Sequence, residues 1–566
     1  MGARAGADVV EPEIAIRQQG QGSCRRQGES IQMNAKLGKI ALENSIEISL
    51  AEACYFGFFI LLSVTKGMGL YEGQKLFELL VIPAFLLAIV KILITPYTKR
   101  QWVMQILFLL LAALVLYESH ERGILFLTFA VLGMKNISVK KVFHTGLWVW
   151  SLCAVVLCIF SFFRLEHTIY RVHDKLGLGY IFRWSLGFTH PNILHITYFT
   201  LCALLLYEME DNYKFRYFVY LMTGNVLVFL YSVSYTGFGI VTILLAGCLY
   251  VRVKPRFGIA EKILANLVLP VCLISSFVLP LLLYDEKYGV IIQKLNSMVN
   301  TRIRLAELFL KPEYFSLFGV DISEVVKSSV SIDNSYVWGY INYGLIPFAI
   351  ITLGYFALSF YITYKQRTRE LVILVCFLVA GWTEPLLFNT SFKNFTLIFL
   401  GSLLFVQKEG AKEYCLFPHA QREIVIPLAG LPDRLLAAAH DVWNRCKVKI
   451  AGWSVVGMAL GMILCAVLYT APEGYVVPRV YTDWLEKSSV YPESRDDPSY
   501  AGWKIMNYTD ADTPMQLVEG KAVVLETVRY YTGSVLIGGF CGGIFGIICF
   551  GLRQNSMDKQ TAKRKG

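Results

Sequence analysis

The sequence predicts an all-α, polytopic integral membrane protein, with about 12 transmembrane helices in one body and a C-terminal two-helix membrane hairpin after it. Three observations predict this class. Apolar residues make up 55% of the 566 and charged residues only 17%, a balance suited to lipid rather than water as solvent. Apolar stretches near the roughly 20 residues needed to cross hydrocarbon as a helix recur along the chain. Lys and Arg gather on alternate connections between them, following the positive-inside bias.

Residues 1–47 are polar and include Cys24, Arg25 and Arg26. They lack the compact apolar stretch and small-residue cleavage site of a signal peptide, so they read as a disordered cytoplasmic tail, with Met33 as an alternative start. The body, 48–406, carries spans near 48–65, 76–94, 102–117, 122–134, 146–163, 191–207, 217–233, 236–251, 263–284, 336–363, 371–387 and 395–406. Next, 407–450 reads as a cytoplasmic amphipathic linker. Leu431, Leu435, Leu436, Ala439, Val442 and Trp443 recur there at helical spacing among Arg434, Arg445 and Lys447, as in a helix lying on a leaflet. The hairpin, 451–566, has spans near 452–470 and 533–551. Gly457 and Gly461, and then Gly538, Gly542 and Gly546, repeat every four residues, which lets helix backbones approach closely in lipid. Its outer loop, 471–532, holds no catalytic motif and reads as part of an accessory module.

The basic sets Lys99-Arg100, Lys135/Lys140/Lys141, Lys214/Arg216, Arg252–Lys262, Lys365–Arg369 and Arg553–Lys565 mark the cytoplasmic side, which also holds both termini. These residues, meeting anionic lipid headgroups, account for most of the +11 net charge without nucleic-acid binding. The 13 cysteines fall in spans or cytoplasmic segments and form no CxxC motif, so neither a disulfide framework nor a metal site is expected. No cofactor is called for.

Basic residues on the outer side need another explanation. The outer loop 164–190 carries Arg164, Arg171, Lys175 and Arg183 with His167, His173 and His190. At its end Thr189 is placed to cap the next helix and Pro191 suits the first helical position. His190 and Asn192 then stand at a helix N-terminus, where an anion is favoured. The outer loop 285–335 carries Arg302 and Arg304, read as a diphosphate clamp because the guanidinium forks onto phosphate oxygens. It ends in Asp333-Asn334-Ser335-Tyr336. Glu384 lies near the outer end of an apolar span, where an ionisable group requires a partner or a wet cavity. These groups suit a substrate with a membrane-buried tail and an anionic head, such as a polyprenyl diphosphate carrying sugars.

The order Arg183…Gly187-Phe-Thr-His190-Pro-Asn192, Ser232-Val-Ser-Tyr-Thr-Gly237, Arg302…Leu317-Phe-Gly319…Asp333-Asn334-Ser335-Tyr336…Tyr343-Gly344-Leu345, Glu384…Asn389 resembles Wzy-type O-antigen and capsular polysaccharide polymerases, over roughly residues 40–406. The resemblance implies metal-independent glycosyl transfer on the outer face of the bacterial cytoplasmic membrane, joining undecaprenyl-diphosphate-linked repeat units. It implies that Arg183, Arg302 and Arg304 bind diphosphate and stabilise the departing charge. His190 becomes the candidate base for the acceptor hydroxyl, with Asp333 or Glu384 as alternatives. Asn192, Asn334 and Tyr336 are candidate substrate contacts. A chain-length regulator and a flippase are the partners it implies.

Three other readings stand beside it. The related O-antigen ligase is expected to place a His in its large outer loop, and 285–335 has none. A lipid-linked oligosaccharide flippase usually has internal repeats and charges inside its spans. Here no repeat is evident and, apart from Glu52 and Lys91, the spans are nearly free of charge. A sensor or assembly protein would have 471–532 as its outer domain.

Overall fold

A computed structural model describes residues 46–162, 170–176, 180–323, 332–389, 391–406, 412–420, 423–426, 431–468, 476–478, 503–504 and 515–565. The tail expected over 1–47 therefore falls almost wholly outside the described residues, as do Arg164, His167 and most of 471–532. The described chain is mainly helical, and ten of its helices are long and apolar enough to cross a membrane. This is the build of a multi-pass membrane protein. It divides into two units, one of 51–421 with 464–533, the other of 1–50, 422–463 and 534–566.

In the first unit the helices run α1 (Leu50–Gly67), α2 (Lys75–Ile94), α3 (Lys99–Ser119), α4 (Gly123–Leu132), α5 (Val139–Phe162), α6 (Pro191–Met209), α7 (Phe215–Ser232), α8 (Tyr235–Val253) and α9 (Ile259–Leu281). Then follow the short α10 (Gly289–Met298) and α11 (Arg302–Glu307), and α12 (Ser335–Tyr343), α13 (Leu345–Tyr364), α14 (Thr368–Thr383) and α15 (Thr396–Leu404). Their shared core is aromatic, with Phe58, Phe59, Phe143, Phe392 and Phe395 all buried. Local signals set helix ends. At α3, Thr98 Oγ1 accepts from Gln101 N while Gln101 Oε1 accepts from Thr98 N, a reciprocal cap.

Ten long helices are fewer than the spans the sequence predicts. The stretches near 122–134 and 395–406 are helices of 10 and 9 residues, and at 1.5 Å per residue neither reaches across roughly 30 Å of hydrocarbon. They pack on each other instead, with Gly401 against Met134 and the Val131 carbonyl. The stretch near 371–387 is a 16-residue helix, and that near 217–233, although 18 residues long, is not among the ten.

The stretch near 336–363 is broken at Gly344 into α12 and α13. Gly344 has φ +77 and Gly319 φ +103, and a Cβ on either would strike the other chain segment's backbone. Only glycine tolerates both the dihedral and the crowding. The two segments are tied by Val320 N donating to Ile341 O at 3.0 Å and Leu345 N to Ser316 O at 2.9 Å. The Leu317-Phe-Gly319 and Tyr343-Gly344-Leu345 motifs are thus two halves of one packing contact.

A two-stranded antiparallel ribbon, β2 (Tyr170–Asp174) with β3 (Tyr180–Trp184), lies between α5 and α6, and pairs Arg171 with Arg183. A three-stranded sheet in the order β5 (Val476–Pro478), β7 (Met515–Glu519), β6 (Trp503–Lys504) precedes the last helix.

In the second unit β1 (Ile46–Ser49) pairs antiparallel with β4 (Glu423–Ile426). Helix α16 runs unbroken from Leu431 to Leu468, so the expected linker helix and the span after it are continuous. Helix α17 (Gly520–Lys565) begins well before the predicted span. Where the two helices meet in this unit, a Cβ on Gly457 would strike the Gly538 carbonyl, and one on Gly542 the Trp453 carbonyl. The glycine spacing has this close backbone approach as its physical cause.

Candidate active site

One end of the first unit gathers polar groups from segments far apart in sequence. Arg183 lies in β3, Asn192 in the first turn of α6, Thr236 at the start of α8, Arg302 at the start of α11, Asp333 just before α12, and Glu384 at the end of α14. Helix termini leave backbone groups unpaired, and several of these side chains are held by them. Arg183 Nε donates to the Ser232 carbonyl at the end of α7, at 2.9 Å. Ser232 Oγ and Asn225 Oδ1 in turn hold the ring of the fully buried His195, at 3.0 and 2.8 Å.

Glu384 is the centre of the cluster. Its Oε1 accepts from Arg302 Nη2 at 2.5 Å, Thr236 Oγ1 at 3.1 Å and Asn192 Nδ2 at 3.2 Å. Arg183 Nη2 reaches Asn192 Oδ1 at 2.5 Å, so Asn192 bridges the second arginine to the same carboxylate. All three donors fall on one oxygen, and among the described residues Oε2 accepts none. Asp333 Oδ2 stands 3.6 Å from Arg302 Nε.

Arg183, Arg302 and Glu384 are 4%, 7% and 7% exposed, and at such depth electrostatics are strong. Burial raises the Glu384 carboxyl above its ordinary range, with Arg302 opposing the rise and Asp333 adding to it. Burial pushes Arg183 down to about 10, with the like charge of Arg302 contributing and Glu384 opposing, so it stays cationic at neutral pH. Each guanidinium keeps an Nη1 that makes no hydrogen bond to a described residue. Arg302 Nε and Trp382 Nε1 are also buried without a hydrogen-bond partner. Both residues line a recess of about 10 Å³ with Ser276 and Asn334.

The Asp333-Asn334-Ser335-Tyr336 motif splits into two roles. Asn334 caps α12, its Oδ1 accepting from Tyr336 N at 2.9 Å and Val337 N at 3.1 Å. Its Nδ2 donates to Ser276 Oγ at 2.8 Å and to the Trp382 carbonyl at 3.0 Å. Ser335 Oγ donates to the Glu384 carbonyl at 2.6 Å and accepts from Leu387 N at 3.1 Å. Tyr336 is 1% exposed and its hydroxyl donates to the Leu378 carbonyl at 2.9 Å. Asn334 and Tyr336, expected as substrate contacts, are therefore committed to internal bonds, because both capacities of the Asn amide are used. The motif sets the position of Glu384.

Two other expectations change. The guanidiniums of Arg302 and Arg304 do not form one clamp. They stand in the helix α11, where residues two apart point to different faces, and Arg304 is exposed, with its backbone N–H held by Asn296 Oδ1 at 3.0 Å. Arg183 takes the second place beside Arg302. The cap of α6 is His190 itself, not Thr189: its Nδ1 accepts from Asn192 N at 3.1 Å, with Pro191 next. A neutral ring accepting through Nδ1 carries its proton on Nε2.

The expected accessory segment reaches the walls of the site. From α17, Arg529 donates through Nε to the Leu230 carbonyl at 2.7 Å, through Nη1 to the Phe182 carbonyl at 2.8 Å and to Glu526, and through Nη2 to the Tyr231 carbonyl at 3.3 Å. Trp184 Nε1 donates to Glu526 Oε2 at 3.1 Å, and Tyr231 OH to the Arg529 carbonyl at 2.9 Å. Phe182 and Trp184 flank Arg183, and Tyr231 precedes Ser232, which holds it. The only sequence signal of this pair is an acid and a base three residues apart, entering an apolar run. Lys175 Nζ, bonded to Asn300 Oδ1 at 3.0 Å, joins the segment before α6 to the one between α10 and α11.

Set against protein-family models, curated proteins and solved structures, the chain finds no match.

Proposed function

We propose that the chain is a polymerase of lipid-linked saccharides, transferring a growing chain from a polyprenyl diphosphate to the terminal hydroxyl of another lipid-linked repeat unit. The observation that carries this reading is the buried Arg183–Asn192–Glu384–Arg302 network, in which Glu384 Oε2, the Nη1 of each arginine and Arg302 Nε make no hydrogen bond to a described residue. In this scheme Glu384 Oε2 takes the proton of the acceptor hydroxyl. The resulting oxygen forms a bond to the anomeric carbon as the bond from that carbon to the diphosphate oxygen breaks. Arg183 and Arg302 meet the charge that develops on the departing diphosphate, through donors already in place. Glu384 is the favoured base because burial raises its affinity for protons above that of an ordinary carboxylate, which strengthens it as a proton acceptor. His190 orients Asn192 through the cap bond to its backbone N–H, and Asp333 balances Arg302. Asn334 and Tyr336 act as scaffold.

The site then faces the outside of the bacterial cytoplasmic membrane, and both termini lie in the cytoplasm with α16 and α17 as a membrane hairpin. The reaction draws on a lipid-linked oligosaccharide and needs no cofactor or metal, and a flippase and a chain-length regulator would act before and alongside it. A ligase remains the second reading, since the same network would serve a different acceptor.

The test is binding of undecaprenyl diphosphate by the purified protein in detergent, compared with undecaprenyl monophosphate. Diphosphate should bind about tenfold more tightly or better, as expected for a second charge-assisted contact of about 1.5–3 kcal/mol. Arg302→Lys should remove the difference. Equal binding of the two lipids would refute a diphosphate site.

A further inference from the structure

A separate site lies at the opposite end of the first unit, where α2 turns into α3. There Ile92, Trp102, Gln105, Leu109, Phe129 and Leu416 line an apolar cavity of about 690 Å³, within the roughly 300–1,000 Å³ usual for ligand sites. It opens sideways toward the lipid-facing surface, since Ile89, Ile106 and Leu416 on its rim are 42%, 53% and 58% exposed.

The walls are apolar. Gln105 and Tyr97 are buried beside the cavity and face each other rather than its interior, 1% and 0% exposed. Above it, the cavity-lining Tyr414 carries Lys99 Nζ at 5.5 Å and Lys412 Nζ at 5.7 Å from its ring centre. Both lysines are exposed, and neither is paired with a carboxylate among the described residues.

We infer that this cavity binds one anionic glycerophospholipid, with its phosphate at Lys99 and Lys412 and an acyl chain among Ile92, Leu109 and Phe129. Cations followed by an apolar wall match the order of headgroup and chain along such a lipid, and an uncharged lipid would leave the lysines unanswered. This inference does not depend on the proposed reaction.

Trp102 lines the cavity and reports on it. The full chain is reconstituted in phosphatidylcholine vesicles containing either dibrominated phosphatidylglycerol or dibrominated phosphatidylcholine. The fluorescence lost in Trp102→Phe is taken as the Trp102 signal. Half-quenching is expected at a mole fraction of phosphatidylglycerol about tenfold lower than of phosphatidylcholine, as two surface lysines contribute roughly fivefold each at most. Lys99→Gln with Lys412→Gln should abolish the preference. Native mass spectrometry of lipid retained by this double variant provides a second readout that needs no tryptophan. Equal quenching by the two lipids, a preference unchanged in the double variant, or displacement of both by undecaprenyl phosphate would each overturn the inference.

Discussion

Arg302 Nη2 lies 2.5 Å from Glu384 Oε1, and the two residues, 82 apart in sequence, are both more than nine-tenths buried. An isolated charge at that depth would be costly, and an ion pair in good geometry removes most of the cost. The pair is not closed on itself. Arg302 keeps Nε and Nη1, and Glu384 keeps Oε2, without hydrogen bonds among the described residues.

Arg302→Lys and Arg304→Lys should therefore behave differently. Lysine cannot hold Glu384 and also present a planar fork, so chain extension in cells should fall at least about 100-fold for Arg302→Lys, as for loss of a preorganised donor. Arg304→Lys should stay within about twofold, because an exposed like-charge change has little effect. Polymer length on gels, with membrane levels of each variant, reads this. Equal loss in both would return the clamp to adjacent arginines.

The pH dependence follows from the direction of the Glu384 shift. A base must be deprotonated, and burial raises the Glu384 carboxyl. Activity should therefore rise with pH through a midpoint above the ordinary carboxylate range of about 4.3 and be lost below it. Glu384→Gln should remove the activity together with that limb. An acid limb unchanged in residual Glu384→Gln activity would assign the base elsewhere.

His190→Asn keeps an N-cap and removes the ring. If His190 only caps α6 and orients Asn192, this variant should retain activity within about tenfold, and His190→Ala should lose about 1 kcal/mol of stability from the missing cap. Thermal unfolding and extension rates separate the two effects. Complete inactivity of a stable His190→Asn protein would restore a chemical role.

Arg529→Ala leaves three backbone carbonyls and Glu526 without their buried cation. A loss of about 3–5 kcal/mol is expected for breaking such a pair, with extension failing because Phe182, Trp184 and Tyr231 no longer fix Arg183. Removal of 451–566 should fail for the same reason. A stable truncated protein that builds normal polymer would show that Arg183 is held without Arg529.

Much of this site was legible in the sequence, and the limits are physical. Arg183, Asn192, Arg302, Asp333 and Glu384 stood out because charge and amide groups at the ends of apolar runs are expensive, and they are the residues the fold brings together. Asn334 and Tyr336 looked alike at that level, and only three-dimensional packing reveals that their polar atoms are spent on Trp382, Leu378 and their own helix. Arg304 was misleading because a two-residue spacing that is close in a loop diverges on a helix. The short α4 and α15 resemble spans in sequence because apolar character is the same in lipid and in a protein interior. Glu526 and Arg529 carry little sequence signal, because a pair inside an apolar run displays no partner in one dimension.

The most direct measurement combines the purified protein with undecaprenyl-diphosphate-linked repeat units extracted from the source strain, resolving products by gel and mass spectrometry. Longer saccharides on one lipid, with one undecaprenyl diphosphate released per joining step, are expected, and Glu384→Gln should bind the lipid but join nothing. Release of undecaprenyl diphosphate without joining, or movement of intact lipid across vesicles without any release, would contradict a polymerase.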